Sequence, residues 1–266
     1  MRRIKAGIVG CGAIGSSLAK FIEELDKKKI VLYGICDLDK RKIERLISQL
    51  KRRPKIFDLE KMIKSCDLII EAASIDVAKE LIEKDFKFRK DLFILSSGVF
   101  ARYPGLLEKI KKKKINLYIP SGAIAGVDAL SAVKYSRIKK IVLVTSKSAL
   151  SLKDAPFFKN KKISLYRKKI LFEGKLEKAI KYFPQNINVS STIFLASLFK
   201  DIKVIIKLDP KLKYNVHQLQ IISDKAKINI LIENIPSKIN PKTSYLAILS
   251  SQALLEKIIS TVKIGS

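Results

Sequence analysis

Tryptophan is missing from this chain altogether, histidine occurs once in 266 residues, and acidic side chains are outnumbered by basic ones, 25 against 54. The shortage of histidine limits the chemistry first. Near neutral pH, His217 is the one side chain whose unperturbed pKa suits it both to give and to take a proton. Cysteine is nearly as scarce: Cys11, Cys36 and Cys66 are odd in number, widely spaced and without a Cys-x-x-Cys pairing. Neither a disulfide framework nor a zinc site is indicated, so no metal is expected, and each reads as a small buried apolar residue. Long apolar runs are lacking too, and none approaches the roughly 18 residues of a membrane span. The strongest, Ile193 to Phe199, reads as a turn or two of buried helix. The opening apolar run is a strand broken by Gly7 and Gly10, not a secretory leader, so a soluble, cytoplasmic protein with no membrane partner is expected.

The excess of base gives a net charge of +29, which raises the question of nucleic acid. The lysines are dispersed, however, in short runs such as Lys27 to Lys29 and Lys111 to Lys114, and no arginine-rich helix or aromatic-interleaved basic stretch marks a reading surface. No nucleic-acid partner is expected. The field would instead draw in small anions, and a dinucleotide and a dicarboxylate both qualify.

What is present begins at Ile4. An apolar strand to Val9 runs into Gly10-Cys11-Gly12-Ala13-Ile14-Gly15 and then a helical pattern to Leu25. Gly10 permits a tight turn, Gly12 lets backbone amides approach a pyrophosphate, and Gly15 lets helix and strand pack closely. A second strand, Ile30 to Cys36, ends in Asp37, where a carboxylate can take a ribose diol. Strand, glycines, helix, strand and acid in this order point to NAD; Lys40 and Arg41 just beyond leave NADP open. The candidate cofactor contacts are therefore Gly10, Cys11, Gly12, Ala13, Ile14, Gly15 and Asp37, joined by Ala72, Ala73 and Ser74 at the end of the apolar strand Cys66 to Ser74.

Strand and helix alternate to about residue 120, through a strand Leu92 to Ser96, a loop Ser97 to Val99, a helix Pro104 to Lys112 and a strand Ile115 to Ile119. This predicts a Rossmann-type, doubly wound parallel sheet over residues 1–135, counting a helix Val127 to Tyr135. The loop Pro120 to Gly126, rich in glycine at that helix's start, is a second candidate anion site. Later the pattern changes: a strand Ile141 to Thr145, a helix Val189 to Phe199 capped by Asn186 to Asn188, and three neighbouring strand-like runs, Ile202 to Leu208, Tyr214 to Ile222 and Ala226 to Ile232. An α+β substrate domain over 136–242 with a largely antiparallel sheet follows, and the last helix, within 243–266, is expected to return to the first domain. His217 falls on the second of the three runs, facing a cleft and titrating near its ordinary value.

A dinucleotide domain followed by an α+β domain with the sole histidine is the layout of a two-domain dehydrogenase. Beyond that, GCGAIG at 10 to 15, EAAS at 71 to 74, PSGAIAGVDAL at 120 to 130, FPQNINVSS at 183 to 191, NVHQLQ at 215 to 220 and ENIPSKINPKTSYLAILS at 233 to 250 resemble, in order, the motifs of the L-aspartate dehydrogenase family. The resemblance implies oxidation of L-aspartate by NAD or NADP to iminoaspartate. This is then hydrolysed to oxaloacetate and ammonia or passed on towards NAD biosynthesis. Separately, a homodimer or homotetramer is expected. The resemblance makes His217 the catalytic acid/base and adds Ala125 and Asn188 to the nucleotide contacts. Ser121, Gly122, Asn215, Asn240, Lys242 and Thr243 are expected to hold the substrate. The chain departs from the family at Ile222 to Lys225, where a glycine-containing turn is usual, and in the serines of FPQNINVSS, where alanines are. The competing readings are a dehydrogenase or reductase of homoserine dehydrogenase or dihydrodipicolinate reductase type, and a non-enzymatic dinucleotide sensor.

Overall fold

Fully apolar strands alternating with one-sided helices can bury both strand faces only in a parallel sheet covered on each side. The computed structural model describes residues 3–152, 155–158, 166–183, 187–237, 239–240 and 243–265. Its first half runs β1 (Ile4–Val9), α1 (Ala13–Glu24), β2 (Ile30–Cys36), α2 (Lys40–Ile47), β3 (Lys55–Ile56), α3 (Leu59–Ser65), β4 (Leu68–Glu71), α4 (Ile75–Asp85), β5 (Asp91–Ile94), α5 (Gly98–Arg102), α6 (Gly105–Lys113) and β6 (Leu117–Tyr118). The six strands are parallel, in the order β3-β2-β1-β4-β5-β6. Chain order therefore reverses between β1 and β4, the switch point outside whose carboxyl ends such sheets bind ligands. Every residue of β4 is buried, and α1 buries Gly15, Leu18, Ala19 and Ile22, the i, i+3, i+4, i+7 stripe that fastens it to the sheet. The segment expected as a loop after β5 is partly helical: α5 begins at Gly98.

The second half runs α7 (Val127–Val133), β7 (Ile138–Lys147), α8 (Ala149–Leu152), β8 (Lys169–Lys175), α9 (Leu176–Tyr182), α10 (Ile187–Ser197), β9 (Ile202–Leu208), β10 (Asn215–Ser223), β11 (Lys227–Asn234) and α11 (Tyr245–Ile259). Its five strands lie in the order β11-β10-β7-β9-β8, parallel only between β7 and β9. The expected α/β architecture with a second α+β domain is what the chain forms.

The chain divides into two compact units, Met1–Pro120 with Ala247–Lys263, and Ser121–Leu246 with Ile264–Ser266. The division falls earlier than residue 135 because α7 buries Leu130 and Val133 in the second core, against the sheet residues Ile141, Leu143 and Leu219. α11 carries Leu255 and Ile259 into the first core, among Ile8, Leu18 and Ile30. In the second unit α10 begins at Ile187, so Asn188 lies inside the first turn and does not cap it; Asn186 lies outside the described residues. The serines that replace alanine leave one mark. Ser191 is fully buried and its hydroxyl has no hydrogen-bond partner.

Candidate functional site

At the end of β1 the backbone of Gly10 turns with φ +103°, and a Cβ there would lie 2.6 Å from the Ala72 carbonyl oxygen. Only glycine suits both the angle and the approach. A Cβ on Gly15 would lie 1.9 Å from the Gly10 carbonyl oxygen, so that glycine lets α1 pack down on the turn. Gly12 differs: its φ is −75° and nothing lies within 4 Å of a Cβ built on it. The side of the loop that would meet a pyrophosphate is open, and α1 starts there without a side-chain cap, the end of a helix that favours an anion. Asp37 holds this loop in place. One carboxylate oxygen accepts the Cys11 N–H at 2.7 Å and the other the Asp39 N–H at 2.9 Å. Burial and the neighbouring Asp37 push the Cys11 thiol up to about 12, which makes it a packing residue.

Ala72 and Ala73 close on Gly10, and the Ser74 hydroxyl accepts the Val77 N–H to cap α4. Beside them sits a residue that sequence reasoning passed over. Glu71, wholly buried, accepts the Ala73 N–H at 2.8 Å, the Ser96 hydroxyl at 2.9 Å and the Ser96 N–H at 3.0 Å. It ties together the carboxyl ends of β4 and β5. Burial pushes its carboxyl up, and the donated hydrogen bonds oppose that. An acid closing an otherwise apolar strand was the available signal.

In the second unit the same alternation that builds the core also builds the polar site. Ile141, Leu143, Thr145 and Lys147 share one face of β7; β10 places Leu219 beside Leu143 and His217 beside Thr145. Along this face the side chains change from apolar to polar. The His217 Nδ1 and the Thr145 Oγ1 are 2.9 Å apart. His217 is 4% exposed, and burial together with the Lys147 ammonium pushes its pKa down to about 4. The expectation of a cleft-facing imidazole with an ordinary pKa is thereby corrected: a desolvated ring beside a cation stays neutral. Lys147 is 7% exposed, and burial pushes its ammonium down to about 8. It too was missed, because the sequence ended its strand at Thr145. Pairing with β9 as well as β10 carries β7 two residues further.

Asn215 opens β10 opposite Asn234, which ends β11. The Asn234 amide donates to the Ala123 carbonyl at 3.0 Å and accepts the Ser244 hydroxyl at 2.5 Å. This pins the loop of Ser121, Gly122 and Ala125 to the polar end of the sheet. Its left-handed Gly122 and Gly126 have φ +68° and +78°. As an anion site the loop is weaker than expected, since α7 has only seven residues and bears Asp128 in its first turn. Thr243 donates its N–H to the Asn240 carbonyl at 2.8 Å in a turn after β11, Ala125, Asn188 and Asn240 are exposed, and Lys242 lies outside the described residues. Among the described residues no cluster of three His, Cys, Asp or Glu side chains is arranged to hold a metal ion.

Comparison with known proteins matches residues 128–258 to a family described as aspartate dehydrogenase, C-terminal, and residues 10–120 to homoserine dehydrogenase, NAD binding domain. The L-aspartate dehydrogenases of Methanosarcina acetivorans and Methanocaldococcus jannaschii are 37% and 38% identical, each alignment covering 99% of this chain and 100% of the relative. A crystal structure of aspartate dehydrogenase from Thermotoga maritima, 28% identical, superposes with a TM-score of 0.75 over 99% of this chain and 100% of that one. A myo-inositol dehydrogenase from Lactobacillus casei in complex with NAD(H) and myo-inositol, 12% identical with a TM-score of 0.64 over 97% of this chain and 85% of its own, shares the fold. Full-length identity at this level, with the motifs in the same order, means that the chain belongs to the L-aspartate dehydrogenase family.

Proposed function

We propose that this chain oxidises L-aspartate with NAD or NADP to iminoaspartate, which yields oxaloacetate and ammonia or feeds NAD biosynthesis. The observation that carries the reading is the buried Thr145, His217 and Lys147 cluster at the polar end of the second sheet, in a chain with full-length identity to L-aspartate dehydrogenases. The open space beside Gly12 and the uncapped start of α1 fit a dinucleotide, which when bound supplies the hydride acceptor. Gly10 to Gly15, with Ala72, Ala73 and Ser74, would hold it, and Ala125 and Asn188 are proposed as further contacts.

With its proton on Nδ1, the imidazole donates to the Thr145 oxygen and leaves Nε2 basic. Nε2 can take the proton of water as it adds to the imine carbon and pass one to nitrogen as ammonia leaves. A ring that is already neutral across the working range needs no prior deprotonation. Ser121, Gly122, Asn215, Asn240, Lys242 and Thr243 are proposed to line the substrate site. Self-association as a homodimer or homotetramer is proposed too, and the outer face of the second sheet, where Leu231 is exposed near Val144 among the amides of Gln218, Gln220 and Asn229, offers a mixed surface for that.

The test is turnover of a panel of amino acids with NAD or NADP, followed at the absorbance of the reduced nicotinamide. L-Aspartate should support reduction while L-glutamate and L-homoserine do not. Equal turnover of L-homoserine, surviving His217→Ala, would favour the homoserine dehydrogenase reading.

A further inference from the structure

We propose that Lys147 is the cationic anchor for a carboxylate of the substrate, a role that rests on the reaction proposed above. Among the described residues it is the one buried lysine or arginine, and its ammonium has no hydrogen-bond or ion-pair partner there. This isolation is costly. A cation taken out of water without a counter-charge loses solvation that nothing in the fold returns. Elsewhere in the chain lysines do find carboxylates, as in Lys79 with Glu83 at 2.7 Å and Lys175 with Asp201 at 2.8 Å, but these are exposed pairs. Among its described residues the second unit thus keeps one buried cation without a carboxylate partner and sets it two residues from Thr145, on the face that carries His217.

The side chains paired with it in the sheet do not supply a charge, and the one carboxylate close by, that of Asp209, whose N–H donates to the Lys147 carbonyl at 2.9 Å, is engaged elsewhere. β9 presents Leu208 opposite Lys147, and β10 begins there with Asn215 and then His217, whose ring is held neutral. Asp209, next along, accepts the Lys211 N–H and pairs with Lys168. What fits is an anion brought from outside. A dicarboxylate reaching this polar end of the sheet offers the missing partner, and its own burial is offset by a cation already largely desolvated. The shift of Lys147 to about 8 leaves most of the population charged at neutral pH, and a bound carboxylate would favour the charged form further. The same contact would set the distance of the substrate's reacting carbon from His217.

Lys147→Met, which keeps the unbranched stem and removes the charge, is compared with the full-length wild-type chain. The KM for L-aspartate should rise ~100-fold, as for loss of one partner of a buried charge pair, with kcat changed much less. Calorimetric titration with succinate in the presence of NADH needs no turnover and should lose binding by a similar factor, with NADH affinity unchanged. Thermal unfolding should occur at the same temperature or higher, because an uncompensated buried charge has been removed. Lys147→Gln serves if the methionine variant does not fold. Succinate affinity and KM close to wild type would overturn the proposal. So would a fall in kcat at unchanged KM, which would make Lys147 a proton acceptor, and so would a lower melting temperature for both variants, which would make it structural. If the wild type binds succinate through Lys147 yet does not oxidise L-aspartate, the proposed reaction fails and the anchor stands.

Discussion

A neutral imidazole in a dry site behaves unlike a free one, and for His217 that difference can be measured in two ways. Its pKa falls from 6.5 to about 4 on folding, so between those values the unfolded chain holds a proton that the folded chain does not. The stability from keeping the ring neutral is complete above pH 6.5 and is lost as the pH falls towards 4, in total about 3 kcal/mol. His217→Asn should remove that dependence. Denaturant unfolding of both proteins at pH 7 and pH 4.5 checks it, the wild type losing about 2 kcal/mol more than the variant. In catalysis the variant should lose ~10²-fold or more in kcat while NADH affinity stays nearly intact, because the titratable nitrogen is gone and the nucleotide loop is elsewhere in the chain. The wild-type rate should show no step near pH 6.5. A step there that vanishes in the variant would mean that the ring is hydrated in the working enzyme.

At the scale of single elements, the glycine loop before α1 separates binding from folding. Gly12→Val puts a side chain into open space at an ordinary φ, so stability should stay within about 1 kcal/mol while dinucleotide binding is lost. Gly15→Val puts its Cβ 1.9 Å from a backbone oxygen that cannot swing away, and should cost about 1–3 kcal/mol or more. Chemical denaturation and titration with NADH, run on both variants, distinguish the two roles; NADH binding retained by Gly12→Val would leave the loop a turn and nothing else. This element was legible in the sequence because everything it needs is local: strand, glycines, helix and Asp37 lie within 34 residues, Ile4 to Asp37. The second site was legible only in part. His217 stood out by being alone, whereas Thr145 is 72 residues away and reaches it only through the register of β7 with β10. Lys147 was hidden among 54 basic residues until burial set it apart. Glu71 likewise looked like any strand end, since its donors, Ala73 and Ser96, are brought to it by the turn after β4 and by β5. Local grammar can be read from one segment; a site assembled across strands needs their pairing.

For the molecule as a whole the governing quantity is charge. Twenty-five acids can neutralise at most that many of 54 bases, and the pairs that form, such as Lys64 with Glu60 at 2.6 Å and Lys84 with Glu80 at 2.7 Å, are exposed and add little stability. The remaining +29 acts at a distance, raising the local concentration of anions before any contact is made. L-Aspartate and NAD are both anions at neutral pH, so their encounter should depend on salt while the chemistry at His217 should not. Raising sodium chloride from 0.05 M to 0.5 M shortens the screening length from somewhat above 10 Å to a few ångström. At saturating NAD, kcat/KM for L-aspartate should then fall by roughly 3- to 10-fold with kcat nearly constant. Initial rates in two salts of different anion at matched ionic strength separate the causes. A fall that follows ionic strength alone belongs to the field of the whole chain, whereas one that follows the identity of the anion is competition at a discrete site, with buried Lys147 the first residue to test.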